Sequence, residues 1–389
     1  MDGGAPRPGG GGAAGGGAAG GGAAAQTFRL AEVTVGARIG SGALGEVRRG
    51  TIGDVGVALK ALHMLRTDAA AQAQWGGALS PAERRHQLEV FRRECDTMRG
   101  LVHPNILPFV GVVVDDTPAA EPLYLATQFI ESGTLHELVH EPRYAAVRTA
   151  AGGLLPMEAQ LVVFVGMFAG LEYLAERRLI HRDVKPANIL VVVEGGTLTK
   201  VLLADFGESK QLTRTMTRIA GTVAGSPAYM APDMREADEP TGPKADVFSA
   251  GIVLIEVASG RQPNPGPEMR RRRAVPEEER RAADLAAVRS PEIVELARRC
   301  VVDDQDARAD ATEMVGRCRA LVRVAEAPAV RVTLLVRNVS DGRQLSLRVT
   351  AGTPIADVRR RLAEQTGQAV ASLQLLFCGR RLDDGRSVG

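Results

Sequence analysis

The segment after the glycine run limits this chain more than any other feature. "IGSGALGEV" sets Gly40, Gly42 and Gly45 in the spacing G-x-G-x-x-G-x-V directly after a strand-like segment. Glycines lack a Cβ, so their backbone N–H groups can approach phosphate oxygens closely. In a dinucleotide-binding turn the third glycine opens a helix. Here "EVRRGTIGDVGVALKAL" comes next, with the Val-rich texture of more strand. The sequence therefore predicts a β-hairpin folded over a phosphate-bearing ligand. A plain hairpin in a Gly-rich chain is the competing reading.

"VALK" ends in Lys60, a charge inside an apolar strand that is costly to bury without a partner. Only five of the 48 basic residues are Lys, at 60, 185, 200, 210 and 244. Lys60 and Lys185 thus mark places that want a compact ammonium and not a guanidinium fork. The next segment, "SPAERRHQLEVFRRECDTM", reads as a helix with Ser80 as N-cap, Pro81 at the first turn and Glu83 closing a capping box. Leu88, Phe91, Cys95 and Met98 recur on one face. Glu94 borders that face and is expected to pair with Lys60, against the ordinary alternative of a solvated helix Glu.

"HRDVKPANIL" and "LLADFGESK" bring three oxygen-bearing side chains into the same region, Asp183, Asn188 and Asp205. Carboxylate and amide oxygens suit Mg²⁺, a hard cation held by few protein ligands plus phosphates. An Asp on such a loop can accept the proton of an incoming hydroxyl, and Lys185 can reach a transferred phosphoryl group. An isolated polar loop would have no use for the glycine hairpin and the buried Lys that precede it.

With these motifs in order, the chain resembles the eukaryotic protein kinase family over residues 34–325: "GSGALGEV", "VALK", Glu94, "HRDVKPAN", "DFG", "APD" and "DVFSAGI". The resemblance implies an α+β bilobal fold, with a β-rich N-lobe, a helical C-lobe and ATP with Mg²⁺ between them. It implies that Asp183, Lys185, Lys60 and Glu94 are catalytic and that Asn188 and Asp205 hold the metal. The nucleotide would lie against Ile39, Gly40, Ser41, Gly42, Ala43, Leu44, Gly45 and Val47, with Ala58 and Leu190 also against the purine. Thr127 would guard the back of the pocket, and Gln128 to Ile130 would form the hinge. Asp246 would brace the catalytic loop, and His181 and Phe206 would join an internal spine.

Lys185 with Ser226 matches the serine/threonine pattern, and "GTLHEL" resembles the tyrosine-kinase-like branch. Asp233 stands where the family usually has Glu, with Arg308 placed to pair with it. Leu44 replaces an aromatic residue at the glycine-loop tip, and an insertion is expected around "AAAQAQWGGALSP". Arg182 is placed to pair with a phosphate on the segment 205–233, Thr222 first and Thr217 second among Thr213, Thr215, Thr217 and Thr222. The implied substrates are proteins bearing Ser or Thr. The alternative is a catalytically weak kinase-like scaffold.

Residues 1–25 are Gly, Ala and Pro and read as a disordered tail. "PNPGPEMRRRRAVPEEERRA" (263–282) reads as a loop, and its four Arg as a solvated run or, alternatively, a nuclear signal. Residues 297–326 read as one helical segment, with a domain boundary at 326–329. The four cysteines form no C-x-x-C pair, as expected for a reducing, cytoplasmic setting. A net charge of +2 gives no case for nucleic acid or membrane, and "LVVFVGMFAGLEYLA" reads as a buried helix too short to span a bilayer.

Residues 330–389 resemble ubiquitin, most specifically in "LLFCGRRLDDGRS", with Thr353 as helix N-cap and a helix ending near Gly367. The sequence stops before the strand that completes that sheet, so an incomplete β-grasp domain is expected, truncated or completed by another chain. The domain holds no Lys and has no terminal Gly-Gly, so a docking or regulatory module is expected in place of a conjugated one. Its partner would be of the ubiquitin-receptor type, meeting an apolar patch centred on Leu376.

Overall fold

The computed structural model describes residues 26–42, 45–62, 80–118, 122–148, 153–212, 226–235, 241–263, 277–326, 331–337, 344–350, 353–377 and 380–383. The Gly/Ala tail, Ala43 and Leu44, the insertion after Leu62, the four activation-segment threonines, the Arg run at 270–273 and Cys378 lie outside these residues. So do the side chains of Ser41, Glu83 and Leu376.

The chain begins with β1 (Gln26–Arg29), β2 (Val33–Gly42), β3 (Gly45–Ile52), β4 (Val55–Leu62), α1 (Pro81–Arg99), β5 (Phe109–Val114) and β6 (Pro122–Gln128). The six strands form one sheet in the order β1-β5-β6-β4-β3-β2, antiparallel except for the β1–β5 pair. As the glycine pattern predicts, strand and not helix continues from Gly45. Val57, Leu59, Val113 and Ala126 make the core behind the sheet. Strand β1, at four residues, is too short to show a period of its own.

The helical half comes next: α2 (Leu135–His140), α3 (Met157–Glu176), β7 (Leu179–Ile180), β8 (Ile189–Glu194), β9 (Thr197–Leu203), β10 (Lys210–Gln211), α4 (Pro232–Arg235), α5 (Lys244–Ser259), α6 (Glu277–Ala286), α7 (Pro291–Cys300) and α8 (Ala311–Glu326). Thr134 caps α2 through a capping box with Glu137. Helix α3 is 20 residues long and apolar enough to cross a membrane, so the expectation that it is too short is corrected. Its burial inside the lobe marks it as a core helix: Phe164, Met167 and Phe168 are fully covered. Gly166 and Gly170 let it lie against β9, where an added Cβ would meet Val201 Cγ2 at 2.6 Å and Leu203 Cδ1 at 2.7 Å.

Two boundaries differ from expectation. Helix α6 occupies 277–286, overlapping the end of the stretch 263–282 read as a loop; Arg281 anchors it, stacked over Phe248 and paired with Asp303. The segment 297–326 is two helices and not one, because Asp304 turns onto the Asp306 N–H and Arg308 bonds the carbonyls of Val302 and Asp303. Both features replace helical bonding with side-chain bonding.

The chain divides into two compact units, Met1–Leu321 and Val322–Gly389, with the division inside α8 and a few residues before the expected boundary. The second unit contains β11 (Arg331–Arg337), β12 (Gln344–Thr350), α9 (Ile355–Thr366), β13 (Leu376–Phe377) and β14 (Arg380–Arg381). Leu347 and Val349 from β12 and Val358 and Leu362 from α9 form its core. The N-cap of α9 is Pro354 and not Thr353. The Pro354 ψ of 143° is extended and its carbonyl accepts from the Val358 N–H at 3.1 Å, so the helix starts one residue later. Gly367, at φ 70°, ends it in the left-handed conformation.

Cys95, Cys300 and Cys318 are free and buried. Burial, and for Cys95 the adjacent Glu94 carboxylate, pushes the thiols of Cys95 and Cys318 up to about 12. Since the thiolate is the nucleophile, all three are expected to stay unmodified when the native protein meets iodoacetamide at pH 8, and to react after denaturation. Peptide mass mapping checks this.

Candidate active site

Strand β4 places Lys60 opposite Val47 of β3 and Leu125 of β6. Helix α1 buries Phe91, Cys95 and Met98, which turns Glu94 toward the sheet at 5% exposure. Lys60 Nζ lies 2.7 Å from Glu94 Oε1 and 2.8 Å from Asp205 Oδ1. Burial disfavours the Lys60 ammonium, but Glu94 and Asp205 outweigh it and hold Lys60 above the ordinary lysine value. Asp205 loses hydration too, yet Lys60 keeps its carboxyl below the usual range. One compact cation thus ties together helix, sheet and the "DFG" turn.

The loop after β7 is held from below. Fully buried Asp246 accepts from the backbone N–H groups of His181 (2.7 Å) and Arg182 (2.8 Å). The His181 ring lies 4.9 Å from that of Phe206, and its Nε2 is 3.0 Å from the Ala204 carbonyl. Arg182 and Asp205 both take positive φ, 72° and 62°. Such backbone costs on the order of 1–3 kcal/mol per residue and persists where the surroundings over-determine it.

Asp183 is the hub of the loop. Its Oδ2 accepts from Lys185 Nζ (2.6 Å) and Asn188 Nδ2 (2.8 Å), and its Oδ1 from the N–H and Oγ of Ser226, both at 2.9 Å. Lys185 Nζ also donates to Ser226 Oγ at 2.8 Å. Asn188 Nδ2 donates to the Asp183 carbonyl as well, at 2.9 Å. Only an amide nitrogen can donate to these acceptors, so the Asn188 oxygen faces away from Asp183. With the half-exposed Asp205 carboxylate it offers hard oxygen donors that fit a divalent cation. The Ala204 N–H, donated to the Asn188 carbonyl at 2.9 Å, ties the two donors together.

The expected purine-facing residues line up across the sheet. Gly40 pairs with Val47, and Ala58 pairs with buried Thr127. Ile39 is 48% exposed, whereas Leu190 packs on the cluster Leu107, Leu202 and Ala204 with Ile130 beside it. In the hinge the Gln128 N–H donates to the Pro108 carbonyl and the Phe129 N–H to that of Gly56. Among the described residues, the Ile130 N–H donates to no group and is therefore the hinge donor open to a base.

Two features fall outside the nucleotide cleft. Arg308, fully buried, donates to Asp233 Oδ1 at 2.8 Å, as its position suggests, and Gln305 donates to Oδ2 at 2.7 Å. Sequence reasoning gave no role to Lys210, whose ammonium is disfavoured by burial and by the nearby Arg182 and Arg93, with the Glu208 carboxylate acting the other way. The scarcity of Lys that singles out Lys60 and Lys185 would have found it. These three cations fit the reading of Arg182 as a phosphate partner, although the threonines concerned lie outside the described residues.

A glycine hairpin over a Lys–Glu–Asp ion triad, facing an Asp–Lys–Asn loop, defines a bilobal phosphotransferase architecture. Residues 33–317 match the protein kinase domain family, and residues 334–389 match the ubiquitin family. The chain belongs to the protein kinase family and carries a ubiquitin-family domain at its C-terminal end. It is similar to the probable serine/threonine-protein kinase SIS8 of Arabidopsis thaliana, 31% identical over 75% of this chain and 25% of that protein. Serine/threonine-protein kinase STY46 of the same plant is 30% identical over 60% of this chain and 34% of its own length. The corresponding figures for serine/threonine-protein kinase CTR1, also of Arabidopsis thaliana, are 30%, 60% and 24%. The chain thus spans about a third or less of each of these three relatives.

Proposed function

We propose that this protein transfers the γ-phosphoryl group of Mg-ATP to Ser and Thr hydroxyls of protein substrates. The observation that carries the reading is the Lys60–Glu94 ion pair with the Asp205 carboxylate brought beside it, since phosphoryl transfer needs that pair and the metal-holding Asp in place together. Lys60 would orient the nucleotide phosphates, and Asn188 and Asp205 would hold Mg²⁺, which neutralises charge developing on the transferred group. Asp183 would accept the substrate hydroxyl proton, and Lys185 would face the same phosphoryl group. Asp183 already accepts the aliphatic hydroxyl of Ser226, which supports Ser/Thr as its targets.

Incubation of the full chain with Mg-ATP and a basic acceptor protein tests this. Asp183→Ala is expected to lower phosphate transfer about 10²–10⁴-fold, and the label on wild-type product is expected on Ser and Thr. Equal transfer by both proteins would favour the scaffold reading, and phosphotyrosine as main product would overturn the specificity. The ubiquitin-like unit is read as a docking module for a protein partner. Three free buried cysteines support a reducing, cytoplasmic location, with the nucleus as the other possibility.

A further inference from the structure

Away from the phosphate cleft, His136 and His140 on α2 meet Glu256 on α5. The two histidines stand four residues apart, so one helical face presents both rings, 5.0 Å between centroids. Their ligand atoms and a Glu256 carboxylate oxygen all lie within 4.8 Å of one another. His140 Nε2 is 2.7 Å from Glu256 Oε1, and the Tyr229 hydroxyl donates to Glu256 Oε2 at 2.7 Å. Glu256 has no solvent exposure, and His140 is its only potentially charged partner among the described residues. A fully buried carboxylate with so little counter-charge is costly unless a cation joins it.

We propose that His136, His140 and Glu256 bind a borderline divalent cation, Zn²⁺ foremost, with a fourth position open to water. Two imidazoles and one carboxylate are a common zinc donor set, and imidazole selects Zn²⁺ over Mg²⁺ or Ca²⁺. Metal–ligand bonds of about 2.0–2.2 Å put tetrahedral ligands roughly 3.3–3.6 Å apart. The present spacing brackets that value, so small side-chain rotations close the site. Coordination through His140 Nε2 replaces its contact with Glu256 by a shared metal, with the imidazole proton carried on Nδ1. Tyr229 fixes the carboxylate from the outer side. The metal would clamp α2, which lies just beyond the hinge in sequence, to α5, and through Tyr229 to the segment that includes Ser226.

The test is a calorimetric titration of the full chain, freed of metal by chelation, with ZnCl₂, repeated with CoCl₂ and read by visible absorption. The wild type is expected to bind with the strong visible bands of tetrahedral Co²⁺ and to gain thermal stability with Zn²⁺. His136→Ala, which leaves the His140–Glu256 contact in place, is expected to lose both. Tyr229→Phe is expected to bind about 10–100-fold more weakly. Three results overturn the proposal: no binding by wild type, binding equal in wild type and His136→Ala, or a thiolate charge-transfer band that assigns the metal to cysteine.

Discussion

Lys60→Met is expected to reduce phosphate transfer on the order of 10²–10³-fold, the usual cost of one preorganised electrostatic contact. Asp205→Ala is expected to cost at least as much, since it removes the Lys60 contact and a metal donor together. Lys60→Arg should fare little better: the planar fork cannot place one compact charge 2.7 Å from Glu94 and 2.8 Å from Asp205. The Met variant keeps its secondary structure but loses stability, because two carboxylates then share a site without their cation. Circular dichroism alongside a radiolabel assay separates the effects, and a folded Lys60→Met with near-wild-type turnover would overturn the assignment. The pH dependence of the Lys60–Asp205 contact has a definite sign. Lys60 holds the Asp205 carboxyl below its ordinary value of about 3.9. The pair's contribution is therefore complete above that value and is lost as pH falls through the lowered folded one.

Arg308→Ala is expected to destabilise the fold by about 3–5 kcal/mol, the cost of breaking a buried ion pair from one side. The guanidinium is fully covered, stacks 5.1 Å from the Phe248 ring centroid, and donates to Asp233 and to the carbonyls of Val302, Asp303 and Lys244. Its loss leaves Asp233, 4% exposed, with the Gln305 amide in place of a cation. The thermal midpoint should fall on the order of 10 °C. Arg360→Ala, which opens the exposed pair with Asp357, serves as control and should cost under about 1 kcal/mol. Equal midpoints for the two variants would show that the Asp233–Arg308 pair is not structural.

The short, charge-bearing motifs were legible because each residue answers a local chemical demand. That Lys60, Asp183, Asn188 and Asp205 gather in one region could be expected before any coordinates, and so could the placement of Asp246 and the Asp233–Arg308 pair through the family resemblance. The glycine spacing with strand after it excluded a dinucleotide turn. Composition and cysteine spacing pointed away from a disulfide framework. What only the tertiary structure decided involves partners far apart in sequence or segments without a period. Four residues at Gln26–Arg29 become a strand only because β5 offers an edge, and Glu277–Ala286 becomes a helix because Phe248 and Asp303 receive Arg281. His136, His140, Tyr229 and Glu256 come from three separate stretches of the chain. Only the fold gathers the other three around the buried Glu256 carboxylate.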